Sequence, residues 1–548
     1  MVSDTSRERE DTEMSTTNHL SAAINPLSPP TNLEVVERFF EGLMELRPVE
    51  ATCHGLHKHD HRLADGSLAG AREVEALLRA FEVELAGCGD GFDLDLARYY
   101  AALTRFQLEE MRIRARMPEA PDQIGTGVFL LLVRDFAPLG VRLEAIASRL
   151  EAVPAYLAAS QEQLTDPVKL WCEMAAFSAR ELPSLYSTVV AAAGESPQGA
   201  RLEQAAAAAS AATEDFARWL ETEVVPRAAG DWAMGEERFG RLLELRELPD
   251  GPDAILALGH NYLAEVKAER QELLASCWPT SSLEQVNALV RAQRPETFDA
   301  ALAEYREVIA SSRNFVAKRG MATLPSGEEL RIEVTPGFLR PIIPFAAYEP
   351  PARYDRRQLG IYIVTPRAHD LGEHNSAAIR NTSVHEGYPG HHLQFACANQ
   401  HPSVARLLSA DCAHELVEGW AHYCEQLMYE QGFTTSPEVR LVQLNDLVWR
   451  ACRIIIDVEL SSGRMAFGDA VDLLVAEAAM ARPAAEAEVR RYTFTPGYQL
   501  SYLYGKHLLL QLRQRQQRRA GSGFDLRHFH DTLLYAGALP AATWDTLF

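Results

Sequence analysis

No two of the eight cysteines form a C-x-x-C pair; Cys53, Cys88, Cys172, Cys277, Cys397, Cys412, Cys424 and Cys452 are scattered along the chain. Such scatter argues against a disulfide framework and for buried thiols in a reducing compartment. No stretch has the length and apolarity of a membrane span, and the opening "MVSDTSREREDTEMSTTNHLSAAINPLSPPTN" has no apolar signal core. A cytoplasmic location without a membrane partner is the expectation. Positive charge is scarce as well: 53 Lys and Arg face 76 Asp and Glu, a formal net charge of −23. Phosphate recognition needs clustered Lys and Arg, so nucleic acid is not the expected partner. Missing too are a G-x-x-x-x-G-K-[ST] phosphate loop, a dinucleotide fingerprint after a strand and a G-x-S-x-G nucleophile elbow.

What remains is a 548-residue chain that is 47% apolar, ample for a large core. Residues 1–31 read as a disordered tail ending in Pro-Pro. From "NLEVVERFFEGLMELRP" onward, "AREVEALLRAFEVEL", "LARYYAALTRFQLEEMRIRARM" and "GVRLEAIASRLEAVPAYLAAS" place apolar residues at three-and-four spacing. The alanine-rich "EQAAAAASAATEDFARWLETEV" favours helix and close helix packing. These segments make residues 32–324 a helical N-terminal body. Near 325 the pattern changes: "EELRIEVTPGFLRPIIPFAAYEPP" and "LGIYIVTP" read as short strands broken by Pro and Gly. The strand around Gly360 to Thr365 is a candidate open edge for an extended peptide. Helical pattern returns at Ser376, so 325–548 is expected to join short strands to metal-binding helices in a mainly α fold.

Directly after the strands comes "NTSVHEGYPGHHLQF", Asn381 to Phe395. In His-Glu-x-x-His, residues four apart share a helix face, so two imidazoles reach one Zn²⁺ and the Glu takes a proton from the activated water. Here His385-Glu386 is followed at position 389 by proline, and the next histidines are His391 and His392. On a regular helix His391 would point about 120° away from His385, and His392 would lie about 10 Å further along the axis. Pro389 cannot donate to the His385 carbonyl, and Gly387 and Gly390 make unusual dihedrals cheap. A bulge absorbing two extra residues would return His391 to the ligand slot, leaving His392 beside it; the reverse choice stays open. A third ligand is sought in "HELVEGWAHYCEQLMYE", where Glu418, His422 and Glu425 share a helical face. A similar His-Glu pair, His414-Glu415, has no further ligand pattern.

These residues resemble the bacterial family filed as domain of unknown function 885. Its hallmarks are similar to "HEGYPGHHLQ" (385–394) followed by "EGWAHYCE" (418–425), with weaker likeness at "RACRIIIDVEL" (450–460) and "RYTFTPGYQLSYLYGK" (491–506). The resemblance implies a mostly helical, gluzincin-like metallopeptidase fold akin to oligopeptidases and thermostable carboxypeptidases. It implies His385, His391 and Glu418 as ligands of one zinc and Glu386 as general base. Where relatives often read Asp-x-Gly-Leu-His, "DVELSS" places Glu459 and Ser461, a departure that bears on substrate choice.

The expected chemistry is hydrolysis of a peptide or small amide by an activated water, with Glu386 shuttling the proton. Among Tyr498, Tyr502 and Tyr504, Tyr502 fits best as donor to the oxyanion. His422 would orient Glu418 or touch substrate. Arg450 and Arg453 suit a substrate carboxylate, although Asp457 offers Arg453 an ordinary partner four residues on. Two other readings stand beside this one. The same two-His-one-carboxylate set can hold Fe(II) for other small-molecule chemistry. The chain can also be a non-catalytic helical binding protein with a relict site.

Overall fold

The computed structural model describes residues 32–335, 340, 343, 345–366 and 371–548; the expected tail at 1–31 lies outside them. Helix dominates, and the repeating three-and-four pattern explains which face each helix buries. Leu68–Ala86 is typical. Ser67 caps it by accepting from the Gly70 amide, and Val74, Leu78, Phe81 and Leu85 fall on the buried face. Phe81 then stacks on Phe39 with ring centroids 3.9 Å apart. Each such side chain contributes about 1.5–3 kcal/mol by leaving water.

The buried apolar residues gather mainly into two cores. One is built from four helices, Ala120–Val133, Leu139–Ser160, Lys169–Ala193 and Gly199–Trp219. The alanine-rich helix belongs here. Leu202, Ala205, Ala206, Ala209 and Phe216 line its buried side, and the small side chains let it lie close to Leu139–Ser160 and Lys169–Ala193. Within this core Arg149 is fully buried. It donates to the carbonyls of Arg62, Gly127 and Pro48 and to Thr52 Oγ1, at 2.6–3.2 Å.

The larger core joins the first helices of the chain to nearly everything after residue 234. Between the two, His57 lies against Phe136 at 3.5 Å between ring centroids. Its ring nitrogens each sit 2.8 Å from a carboxylate, Asp60 on one side and Asp355 on the other.

Three strands form the sheet: β1 (Glu328–Val334), β2 (Ala346–Glu349) and β3 (Gln358–Val364). Their order is β1-β3-β2, with β1 parallel and β2 antiparallel to β3. This corrects the expected open edge at Gly360 to Thr365, because β3 is hydrogen-bonded on both sides. The near-continuous apolar run "LGIYIV" is what a strand buried on both faces requires, and all six residues are buried. The edges fall to β1 and β2.

No helix among the described residues is long and apolar enough to cross a membrane.

Candidate metal centre

The helix Ser376–Glu386 starts with Asn375, whose side chain accepts from the Ala378 amide at 2.9 Å, and stops at Glu386. A new helix begins at His391 and runs to Ala398. The structure therefore shows a complete break where a bulge within one helix was expected. Pro389 has no amide to continue the ladder. Gly390 N instead bonds Val384 O at 3.1 Å, and Leu393 N bonds Gly387 O at 3.4 Å, each reaching six residues back. Six in place of four takes up the two additional residues. Gly390 is needed for closeness, since a Cβ there would collide with the carbonyls of His385 and Val384. Trp420 Nε1 ties the break to the His414–Glu430 helix by donating to Pro389 O at 2.8 Å.

Across this break His385 and His391 face each other with ring centroids 4.9 Å apart. Glu418 Oε2 lies 3.9 Å from His385 Nε2 and 3.4 Å from His391 Nε2, and all three side chains are buried. One donor atom from each falls within 4.8 Å of the other two. Tetrahedral ligands about 2.0–2.1 Å from zinc stand about 3.3 Å apart, so this spacing suits a small divalent cation. Glu418 Oε2 and His391 Nδ1 have no hydrogen-bond partner among the described residues, and an orphaned buried carboxylate oxygen aimed at two imidazoles is a fit for such an ion.

The surroundings fix each donor. Glu425 Oε1 is 2.8 Å from His385 Nδ1. A carboxylate only accepts, so Nδ1 carries a proton, and Nε2 is the nitrogen turned toward Glu418. Glu425 also takes Asn381 Nδ2 at 2.9 Å, and Asn381 bridges on to Asp446 at 3.0 Å. Burial raises the Glu425 carboxyl, but His422 and His385 outweigh it and hold the group well below the usual carboxylate range. For Glu418, burial is likewise overcome, chiefly by His391, with His385 and the Tyr498 phenol adding to it. Tyr498 donates to Glu418 Oε1, leaving Oε2 for the histidines. Glu386 is half-buried beside His385, and its charge helps raise the His391 pKa against the effect of burial.

Several expected site residues lie elsewhere. His392 points away from the cluster: its Nε2 is 2.9 Å from Glu328 Oε2 and its Nδ1 is 3.0 Å from the Tyr348 hydroxyl. Glu328 is held as well by Arg313 at 2.8 Å and by Tyr388, so His392 anchors the break to β1. His422 does not orient Glu418. It is fully buried with Nδ1 3.3 Å from Glu425 Oε1, and burial, with Lys506 second, pushes its pKa to about 3. Tyr504 leaves the site entirely and donates to Asp250 at 2.9 Å. Two residues apart on the Ser501–Ala520 helix means about 200° apart, so Tyr502 and Tyr504 cannot share a face. Tyr502 does face the cluster, its ring nearly parallel to His385 at 6.4 Å, and burial pushes its phenol to about 12, so it stays a neutral donor.

Arg453 is not paired with Asp457. It donates to Tyr492 at 2.9 Å and Glu488 at 3.0 Å, while Asp457 accepts from the amides of Gly497 and Leu500 at 2.8 and 2.9 Å. Arg450 lies over Trp449 and Tyr502. Ser461 bonds Asp457 at 3.3 Å and Glu459 pairs with Arg464 at 3.3 Å, so these bonds of the two departing residues go to neither His385, His391 nor Glu418. Glu415 of the other His-Glu pair forms a buried ion pair with Arg246, and His414 packs on Tyr498.

The Glu418 helix runs close to the Ser501–Ala520 helix at Gly419 and Gly505. A Cβ on Gly419 would strike the backbone of Gly505, and one on Gly505 would strike the Glu415 carbonyl.

The model of the family described as bacterial protein of unknown function (DUF885) matches residues 48–546. The chain belongs to that family. Its fold is similar to that of a candidate lipoprotein of unknown function from Shewanella oneidensis, with 23% identity, a TM-score of 0.76 and coverage of 95% of this chain and 100% of the other. It is also similar to a candidate lipoprotein from Colwellia psychrerythraea, with 20% identity, a TM-score of 0.81 and coverage of 94% and 97%. No curated protein matches the chain. At these identities the likeness establishes the fold of this DUF885 member and nothing of its chemistry.

Proposed function

We propose that this DUF885 protein is a metal-dependent hydrolase of peptide or small amide bonds, related to the gluzincin metallopeptidases and working with one zinc ion. One observation carries the reading: two imidazole nitrogens and an orphaned carboxylate oxygen converge, and half-buried Glu386 adjoins His385 in the chain with its charge acting on His391. His385, His391 and Glu418 would hold the ion. A bound zinc supplies Lewis acidity, which polarises a carbonyl and acidifies water. Glu386 accepts the water proton and returns it to the leaving nitrogen. Tyr502 donates its phenolic hydrogen toward the oxygen that gains charge, and Tyr498 keeps Glu418 turned toward the histidines. We place the protein in the cytoplasm, in keeping with eight unpaired thiols; the lipoprotein description belongs to the two structural neighbours, and cell fractionation tests the location.

The decisive experiment is metal quantification on protein purified without added metal, together with a peptide and amide panel run on wild type and Glu386→Gln. About one zinc per chain and a fall in kcat of roughly 10²–10⁴-fold in the variant are expected. Iron in place of zinc, with O₂-dependent turnover, would move the reaction to the chemistry that the same two-His-one-carboxylate set allows. Turnover indifferent to Glu386 would end the hydrolase reading.

A further inference from the structure

Three guanidinium groups, Arg450, Arg453 and Arg491, gather around Trp449, Tyr492 and Tyr502, one aromatic ring away from the metal cluster. Arg453 and Arg491 share a single carboxylate, Glu488, each at 3.0 Å. Arg450 has only a looser ion pair, to Asp446, with no hydrogen bond. Its Nε and Nη1 are buried without a hydrogen-bond partner among the described residues. The carboxylate nearest to it, Asp446 Oδ1, stands 3.5 Å from Nη1, and the other Asp446 oxygen is bound by Asn381. So much positive charge beside the proposed reaction centre is unexpected in a chain of net charge −23. A buried cation with unmet donors destabilises the protein unless something anionic completes it.

Tyr502 sets the distance. Its ring lies 6.4 Å from the His385 ring and 5.8 Å from the Arg450 guanidinium carbon. An extended peptide advances about 3.3–3.6 Å per residue, so the gap corresponds to roughly one to three residues. We infer that Arg450 is a substrate-binding residue that recognises a carboxylate within about three residues of the bond to be cut. This rests on the hydrolase reading for its context. The planar fork of Arg450 suits a bidentate carboxylate, and the flanking Trp449 and Tyr502 hold the guanidinium in place. The carboxylate is either the free end of a peptide or an acidic side chain, and the two present the same group to the arginine.

The test compares matched short peptides: one with a free C-terminal carboxylate, one with a C-terminal amide, and one amidated but carrying Asp beside the scissile bond. Hydrolysis by zinc-loaded wild type, Arg450→Met and Arg450→Lys is measured. Binding of the same peptides to Glu386→Gln protein is followed by calorimetry. A carboxylate-bearing peptide is expected to bind and react about 10–100-fold better than the amide, mainly through KM. Arg450→Met should erase that preference and Arg450→Lys restore part of it. Preference for the free end identifies a carboxypeptidase-like substrate, and preference for Asp an acidic side chain. Absence of hydrolysis with Arg450-dependent binding intact would overturn the catalytic reading and leave this one standing. Equal binding of carboxylate and amide peptides by the wild-type arginine background, or equal losses for both in Arg450→Met, would overturn it.

Discussion

In the four-helix core Arg149 is buried and every contact it makes is an answer to its charge: three carbonyl oxygens and a hydroxyl. In the larger core Glu418 is buried too, yet one of its oxygens has no hydrogen bond and faces two imidazoles. Both side chains pay a desolvation cost, and of the two only Arg149 has every polar atom answered. Burial alone does not mark a functional residue, and neither does a lone unmet atom such as the Tyr186 hydroxyl; an unmet carboxylate oxygen facing two imidazoles is a stronger sign.

The sharpest way to probe that contrast is the pair of adjacent histidines. His391→Ala should lower zinc affinity at least about 100-fold, because it removes a proposed ligand from an otherwise intact cluster. His392→Ala should keep the metal and lower stability by roughly 2–4 kcal/mol, because it strips a partner from the buried Glu328 carboxylate. Metal content and denaturant unfolding, read on both variants, separate the roles. The reverse pattern would show that the ligand assignment is wrong.

An effect of similar size is expected in the four-helix core itself. Leu150 is fully buried there, and Leu150→Ala should cost about 2–5 kcal/mol in unfolding free energy with zinc content unaltered. Coupled loss of metal would mean that the two cores do not behave as separate packing regions.

The smallest effect is expected between the cores, at His57. Burial would lower its pKa, but the hydrogen bonds to Asp355 and Asp60 outweigh that and raise it to about 9. A raised pKa favours the folded protonated form, so this contribution is full below about pH 6.5 and fades as pH climbs through 9. The ring is partly solvated, which limits the effect to about 1–2 kcal/mol. Thermal unfolding of wild type and His57→Gln across pH 6 to 9.5 should show the wild-type advantage shrinking as pH rises.

Much of the helical architecture was readable because periodic apolar spacing reports a local property, the face a helix buries. The convergence of His385 and His391 was readable for a related reason: Pro389 between two glycines forbids a regular helix, and six residues can be folded into the space of four. Long-range partners were not. Nothing local says that β3 lies between β1 and β2, that Glu328 receives His392, or that Glu488 rather than Asp457 serves Arg453. Glu425 is an intermediate case. Its place seven residues beyond Glu418 puts it on the same helix face, a signal that existed, but only the fold reveals that it grips His385. Tyr504 was misplaced for want of a helical phase, which Tyr502 alone would have supplied.

The near-touching backbones at Gly419 and Gly505 carry a last implication. Glu418 rides on one of these helices, while Tyr502 rides on the other and Tyr498 sits just ahead of it. The hydrogen atoms of two glycines thus act as a spacer gauge for the carboxylate and its phenol neighbours. Residues with no reactive group of their own would govern the spacing of these two helices, and a single added methyl at either would press on the facing backbone and part Glu418 from its phenol neighbours.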